Sequence, residues 1–340
     1  MKLVYTRALG ARGAIRGGSS PLSPTVKKII ITKENSGQRI DKFLAVELFS
    51  YTRGEIIRMI KNGEIKVNGK NIKPSYALKE RDKISVKRKT KSEKLIPNDN
   101  IEVKIIYKDE NIIVVDKPAG IKVHPSSFEE DDTLVNFLIA KFPEIKNVSD
   151  GSPGSDLRSG IAHRLDKDTS GIMIVARNQK AFSELKRLFQ ERKIEKKYLA
   201  LVFGKLKDKK GIIIKPIARA GNYKKQVIAG RKTKTKIREA VTEYKVIKEF
   251  DNYSLVEVVP KTGRMHQIRV HFFSLGNPIV GDKIYKLKSK VQPFSSSRLI
   301  LNAKRQLLHS ESIKFELKGN KYSFQSEIPD DFINFLRNLD

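Results

Sequence analysis

The chain has 340 residues, enough for two folding units that each bury a core. Its 69 Lys and Arg against 38 Asp and Glu leave a net charge of +31 and an isoelectric point near 10.0, more than solubility needs, so the expected partner is a polyanion: nucleic acid first, an anionic membrane surface second. The absence of cysteine excludes disulfide scaffolds, thiolate metal sites, iron–sulfur clusters and thiol nucleophiles, and apolar runs such as Ile112–Val115 and Leu199–Phe203 are far shorter than the roughly 20 residues a membrane helix needs.

Residues 1–33 contain seven basic residues and no acid, with Gly17-Gly18-Ser19-Ser20-Pro21 in their midst. This composition predicts a disordered basic arm. An acid-free start bearing Arg and Ser also fits an organellar transit peptide, although the glycines would break an amphipathic helix. Over residues 34–88 the spacing of Asp41, Phe43, Leu44 and Leu48 predicts a helix, and Thr52 stands where it would cap a second one through Ile56, Ile57 and Ile60. The strand Ile65-Lys66-Val67 runs into Asn68-Gly69, a hairpin signal, and Ile84-Ser85-Val86 supplies a further strand. In this order of elements, RIDKFLAVELFSYTRGEIIRMIKNGEIKVNGK resembles the S4 RNA-binding domain, with Arg53, Arg58, Lys61, Lys66 and Lys70 as candidate RNA-binding cations. Residues 89–102 begin with a charged, apolar-free run and read as a linker. Residues 1–95 hold 23 basic side chains against 8 acidic ones, so the charge is concentrated toward the start of the chain.

From residue 103 to 338 the pattern is that of a larger domain. Strands are predicted at Val103–Tyr107, Ile112–Asp116, Gly171–Ala176, Tyr198–Phe203, Ile212–Pro216, Ala240–Ile247 and Ser254–Pro260, and helices at Thr133–Phe142, Gln179–Arg192 and Met265–Leu275. Runs of strands broken by occasional helices give an α+β fold class, a small S4-like domain followed by a mainly antiparallel mixed sheet flanked by helices. Lys205–Arg238 carries 13 basic residues and one acid in a hairpin-like segment, read as a phosphate-contacting arm that includes Lys224 and Lys225.

The densest polar motif is His163-Arg164-Leu165-Asp166-Lys167-Asp168-Thr169-Ser170-Gly171, just before the strand Ile172–Ala176. By itself it could be a loop whose acids pair with Arg164 and Lys167. Four further segments accompany it in order: Asp116-Lys117-Pro118-Ala119-Gly120 with His124-Pro125; Lys196-Lys197-Tyr198-Leu199-Ala200; Thr262-Gly263-Arg264-Met265-His266-Gln267-Ile268-Arg269-Val270-His271; and Leu307-Leu308-His309-Ser310. Together they resemble the RluA-type pseudouridine synthases, those with an S4 domain in front. The resemblance implies an RNA uridine isomerase that cleaves the glycosidic bond and reattaches uracil through C5. It implies Asp166 as the catalytic carboxylate, Arg269 as its ion-pair partner, Tyr198 against the uracil ring and Arg164 holding the extruded nucleotide. Asp168 is read as a solvated loop acid.

No cofactor is expected, because the departing uracil delocalises its own charge and one carboxylate suffices. No metal site is expected: His266 and His271 lie five apart, not at the helical spacing for shared ligation, and His163 and His309 are read as hydrogen-bonded structural residues. The expected partner is ribosomal RNA or a pre-ribosomal particle, bound by a cytoplasmic monomer without membrane contact. Two other readings stay open, the same chemistry on transfer RNA and a non-catalytic RNA-binding ribosome assembly factor.

Overall fold

The computed structural model describes residues 26–48, 51, 53–87, 94–152, 154–221, 225–286 and 303–339. The first 25 residues of the expected arm, the Thr52 cap, the start of the linker and Lys224 lie outside them. The chain divides into two compact units, Met1–Lys91 and Ser92–Asp340.

In the first unit β1 (Val26–Ile30), β3 (Lys83–Lys87) and β2 (Ile65–Val67) form an antiparallel sheet in the order β1-β3-β2. Helices α1 (Ile40–Glu47) and α2 (Arg53–Lys61) pack on it through Ile40, Leu44, Ile56 and Ile60, which meet Ile65 and Ile84. Asn68 and Gly69 both take positive φ, 50° and 78°, as a tight hairpin turn requires. β1 corrects the expectation of disorder through residue 33. Ile29, Ile30 and Ile31 outweigh the flanking lysines once a partner strand exists, and Ile31 is buried.

The second unit is built on a nine-stranded sheet. Its strands are β4 (Lys104–Lys108), β5 (Ile112–Lys117), β6 (Ser170–Ala176), β7 (Glu195–Phe203), β8 (Lys210–Ile214), β11 (Val241–Glu249), β12 (Tyr253–Pro260), β13 (Leu308–Leu317) and β14 (Asn320–Gln325). The order is β4-β5-β6-β13-β7-β12-β11-β8, with β14 also paired to β13; every strand pairing is antiparallel except β6 with β13. Alternation along β5 sends Ile113 and Val115 to one face, against α3 (Leu134–Lys141) and α5 (Gln267–Phe273). Ile112 and Val114 face the other way, toward α4 (Gln179–Gln190). At the end of the unit α6 (Asp330–Arg337) buries Phe332 and Phe335 against Leu199 and Leu201 of β7. Each such aliphatic or aromatic side chain contributes roughly 1.5–3 kcal/mol on burial.

The structure departs from the sequence reading at three places. The basic segment Lys205–Arg238 is divided: β8 joins the main sheet beside β11, while β9 (Ile217–Arg219) and β10 (Gln226–Ile228) form a separate two-stranded hairpin. The β-branched run Ile212-Ile213-Ile214 draws β8 onto the sheet, with Ile213 buried. α5 starts at Gln267 rather than Met265, because His266 takes a left-handed φ of 55°. Finally, β13 is a full strand, its buried Ile313, Phe315 and Leu317 alternating with Lys314 and Glu316. Among the described residues no helix is long and apolar enough to cross a membrane.

Candidate active site

All seven residues of β6, an inner strand, are buried, so the charged loop that feeds it emerges at the end of the strand. Backbone contacts from distant segments fix that loop. The Lys167 carbonyl accepts from the Gly120 amide at 3.0 Å and from Lys117 Nζ at 3.0 Å. Lys117, fully buried at the end of β5, also donates to the Pro118 and Ile121 carbonyls at 2.7 and 3.1 Å; burial and the nearby Arg305 charge push its pKa down to about 7. Arg305 donates to the Asp168 carbonyl at 3.2 Å and Gln306 to the Thr169 hydroxyl at 2.7 Å. Gly171 is the joint where β6 meets β13. At its φ of 110° a Cβ would stand 2.2 Å from the Ser310 carbonyl oxygen, so only glycine allows the approach.

The loop delivers Asp166 to Arg269, which projects from α5. Arg269 Nη1 donates to Asp166 Oδ2 at 2.7 Å, while its Nε and Nη2 donate to both oxygens of Asp282 at 2.7 and 2.8 Å. Asp282 in turn accepts from the Ile284 and Tyr285 amides at 2.8 and 3.0 Å. Burial works against the guanidinium charge, but the bonds and charges of the two aspartates hold the Arg269 pKa above its ordinary value. The bidentate grip leaves Nη1 as the end that faces Asp166. Sequence reading assigned no role to Asp282; its only local signal is the preceding Gly281, at φ 76° and in close approach to the Arg305 carbonyl.

Tyr198 lies on β7, buried and hydrogen-bonded to Ser310. Desolvation, with a smaller contribution from the Asp166 charge, pushes its phenol up to about 12. His266 Nε2 is 3.9 Å from Asp166 Oδ1, and its Nδ1 is 3.1 Å from the Tyr285 hydroxyl. Asp166, Tyr198 and His266 line a cleft of about 650 Å³ together with Arg164, Lys186, Arg192, Lys196, Lys261, Arg264 and Arg269. Among the described residues Asp166 is the only carboxylate that lines it, so the cleft attracts an anion while keeping one negative oxygen inside it. Arg164 is exposed at the rim, its Nη1 3.4 Å from His124 Nε2. Asp168 does not line the cleft.

The other histidines are occupied elsewhere. His163 accepts from the Ile174 amide at 2.9 Å and stacks on Phe189, with burial pushing it down to about 3. His309 meets Ser170 at 3.0 Å; His271 meets Thr242 at 2.9 Å and the Lys215 carbonyl at 3.0 Å. Among the described residues no group of three or more His, Asp and Glu is placed to hold a metal. In the first unit Arg58, Lys61 and Lys70 are exposed and Lys66 is half-buried, whereas Arg53 engages Asp41 at 2.6 Å and is thereby tied to its own fold. Lys225 is exposed beside β10.

Residues 111–274 match the family described as RNA pseudouridylate synthase, and residues 38–84 match the S4 domain. An uncharacterized RNA pseudouridine synthase of Aquifex aeolicus is 38% identical over 302 residues, covering 88% of this chain and 93% of that protein. This chain belongs to the RNA pseudouridine synthase family. It is therefore placed among the isomerases that convert uridine to pseudouridine in RNA, with an S4 RNA-binding domain in front. The ribosomal large subunit pseudouridine synthase D of Pseudomonas aeruginosa is 33% identical over 306 residues, with 88% of this chain and 91% of that one covered. Among solved structures, human RNA pseudouridylate synthase domain containing 1 superposes with a TM-score of 0.54 at 28% identity, covering 72% of this chain and 89% of that one.

Proposed function

We propose that this synthase modifies uridines of large-subunit ribosomal RNA in the cytoplasm, with Asp166 as its catalytic carboxylate. The observation that carries the reading is the Asp166–Arg269 pair at 2.7 Å, one carboxylate in a cleft whose other charged lining residues are Lys and Arg. Support for the RNA class comes from the S4 match and from relatives named for the ribosomal large subunit in Pseudomonas, Xanthomonas and Borreliella at 32–36% identity.

The chemistry follows from the groups present. A target uridine is extruded into the cleft at an unstacking cost of a few kcal/mol, with Arg164 at the rim positioned to fill or hold the vacated place. Tyr198 offers an uncharged ring for the uracil, a contact worth roughly 1–3 kcal/mol. Asp166, oriented by Arg269, acts on the ribose either by attack on C1′ or by removing a neighbouring proton. The N1–C1′ bond breaks, uracil turns, and C5 joins the same carbon. The exposed S4 cations Arg58, Lys61 and Lys70 and the arm lysines bind phosphates and set register rather than sequence.

The test is to map pseudouridine in total RNA from cells with and without the gene. Loss of signal at large-subunit positions supports the proposal. Loss confined to transfer RNA reassigns the substrate, and no loss together with persistent ribosome association favours a non-catalytic assembly factor.

A further inference from the structure

The reaction just described leaves one proton without a destination. Once C5 has joined C1′ it carries both the ribose and its own hydrogen. To finish, the C5–H bond breaks and its electron pair closes the C5–C6 double bond. The former N1–C6 pair then returns to N1, which takes up a proton. Something in the cleft has to accept the proton from C5.

The candidates are few. Asp166 leaves C1′ as C5 joins it but stays bound to Arg269 on the ribose side, and protonated Arg side chains hold no usable lone pair. Tyr198 is a phenol pushed far from ionisation, hydrogen-bonded to Ser310. The lone pair of His163 Nε2 already accepts from the Ile174 amide. Lys196, which burial brings down to about 8, rests over the Phe189 ring at 5.6 Å.

His266 differs from all of these. The Tyr285 hydroxyl donates its one proton to the Gln226 carbonyl at 3.1 Å and accepts from the Gln226 amide at 2.9 Å. In the 3.1 Å contact between Tyr285 and His266 Nδ1, the histidine therefore supplies the hydrogen. A neutral ring with its proton on Nδ1 has a bare lone pair on Nε2. That atom is 3.9 Å from Asp166 Oδ1, beyond hydrogen-bonding distance yet within reach of an atom bonded to the carbon on which Asp166 acts. Burial, aided by the Arg269 charge and opposed by that of Asp166, lowers the His266 pKa and favours the neutral ring. The residue is held in a left-handed backbone conformation at φ 55°, uncommon for a residue with a Cβ.

We propose that His266 is the base that removes the C5 proton after the new carbon–carbon bond forms, with Tyr285 as the positioning residue that sets its tautomer. The proposal rests on the isomerase reading above.

The experiment uses the full chain and an unmodified large-subunit ribosomal RNA transcript in single-turnover assays. The transcript is made in three forms, with ordinary uridine, with deuterium at C5 and with 5-fluorouridine, whose C5 has no proton to lose. His266→Gln is expected to slow conversion of uridine by about a hundredfold, within the range for loss of a general base, and to show a deuterium isotope effect larger than the parent's. Glycosidic cleavage of the 5-fluorouridine transcript should remain within about twofold of the parent's, since the missing base acts later. Tyr285→Phe, which keeps the ring and frees the tautomer, should show a smaller loss with the same isotope signature.

Equal losses on uridine and 5-fluorouridine, or an isotope effect unchanged in both variants, would overturn the proposal and make His266 a residue that only shapes the pocket. A parent protein that converts none of the transcripts, with no pseudouridine lost from cells lacking the gene, would overturn the isomerase reading itself.

Discussion

Each unit contains a cluster of three charges, and the two clusters are inverse. In the first unit the Asp41 carboxylate lies between Arg39 and Arg53, at 3.0 and 2.6 Å. In the second Arg269 lies between Asp166 and Asp282, both at 2.7 Å. What separates them is which member meets water. Asp41 is 1% exposed while its arginines are about half exposed, so every charge that solvent or RNA can approach is positive. Arg269 and Asp282 are 5% and 1% exposed, whereas Asp166 keeps 20% of its side chain open to the cleft. The first arrangement uses its carboxylate to hold two cations in place. The second uses a buried ion pair to present a carboxylate to a substrate, so exposure rather than composition divides architecture from chemistry.

The largest test of this contrast is Asp166→Asn. Isomerisation should fall by about a thousandfold or more, since an amide supplies no negative oxygen, while RNA affinity persists. With Asp282 still bound to Arg269 in bidentate fashion, the cost in stability should be about 1 kcal/mol, read from a melting curve. Asp168→Asn, outside the cleft, should change the rate little; a dead Asp168 variant would mean that the wrong carboxylate faces the substrate.

Asp282→Ala should be the reverse, losing both fold and rate. It removes the better-buried partner of a buried cation, at about 3–5 kcal/mol. Asp282→Asn, which keeps the shape, should retain RNA affinity and lose roughly tenfold or more in single-turnover rate as Nη1 wanders from Asp166. Equal melting temperatures for the Ala variant and the parent would show that Asp282 does not support Arg269.

Neutralising Lys224, Lys225, Arg231, Lys232, Lys234 and Lys236 together should lower RNA affinity and flatten its salt dependence, by roughly 0.7–0.9 in log–log slope for every phosphate no longer neutralised, without changing the rate at saturation. A collapse in saturated rate with affinity intact would place these cations in the active site instead.

The smallest expected effect is at Asp41. Its carboxyl is held down at about 2, first by the Arg39 hydrogen bond and then by Arg53, with burial opposing. A depressed folded-state pKa means that the stabilisation is present above the unfolded value near 3.8 and is lost as pH falls from there toward 2. Because both arginines are half exposed, solvent screening limits this to about 1 kcal/mol. Asp41→Asn should remove that part of the acid-induced loss of stability in a pH series of melting curves, with no change in rate on bound RNA.

How much of this was legible in the sequence varied with distance along the chain. The loop from His163 to Gly171 could be read because its polar residues are contiguous and run directly into an apolar strand. Arg269 and Tyr198 lie 103 and 32 positions beyond Asp166, and only resemblance linked them to it; the 2.7 Å bond from Arg269 is a tertiary result. Lys117 belongs to a quoted motif, yet nothing local shows that its amine holds the Lys167 carbonyl 50 positions away. Among the strands, β13 alternates plainly in Ile313, Phe315 and Leu317, but its motif residues Leu307 to Ser310 drew the reading to chemistry. β1 was hidden by lysines at Lys27 and Lys28, whose cost falls once Ile29 and Ile30 find β3.

The sequence by itself determined the basic charge, the order of two units, the α+β class and the loop that carries Asp166, because composition, periodicity and contiguous motifs are local properties. Only the tertiary structure decided that Asp282 grips Arg269, that Lys117 props the loop, and that Tyr285 turns the lone pair of His266 toward Asp166. Those choices depend on hydrogen-bond directions and on which groups lose water together, and neither exists until the sheet has brought the segments into contact.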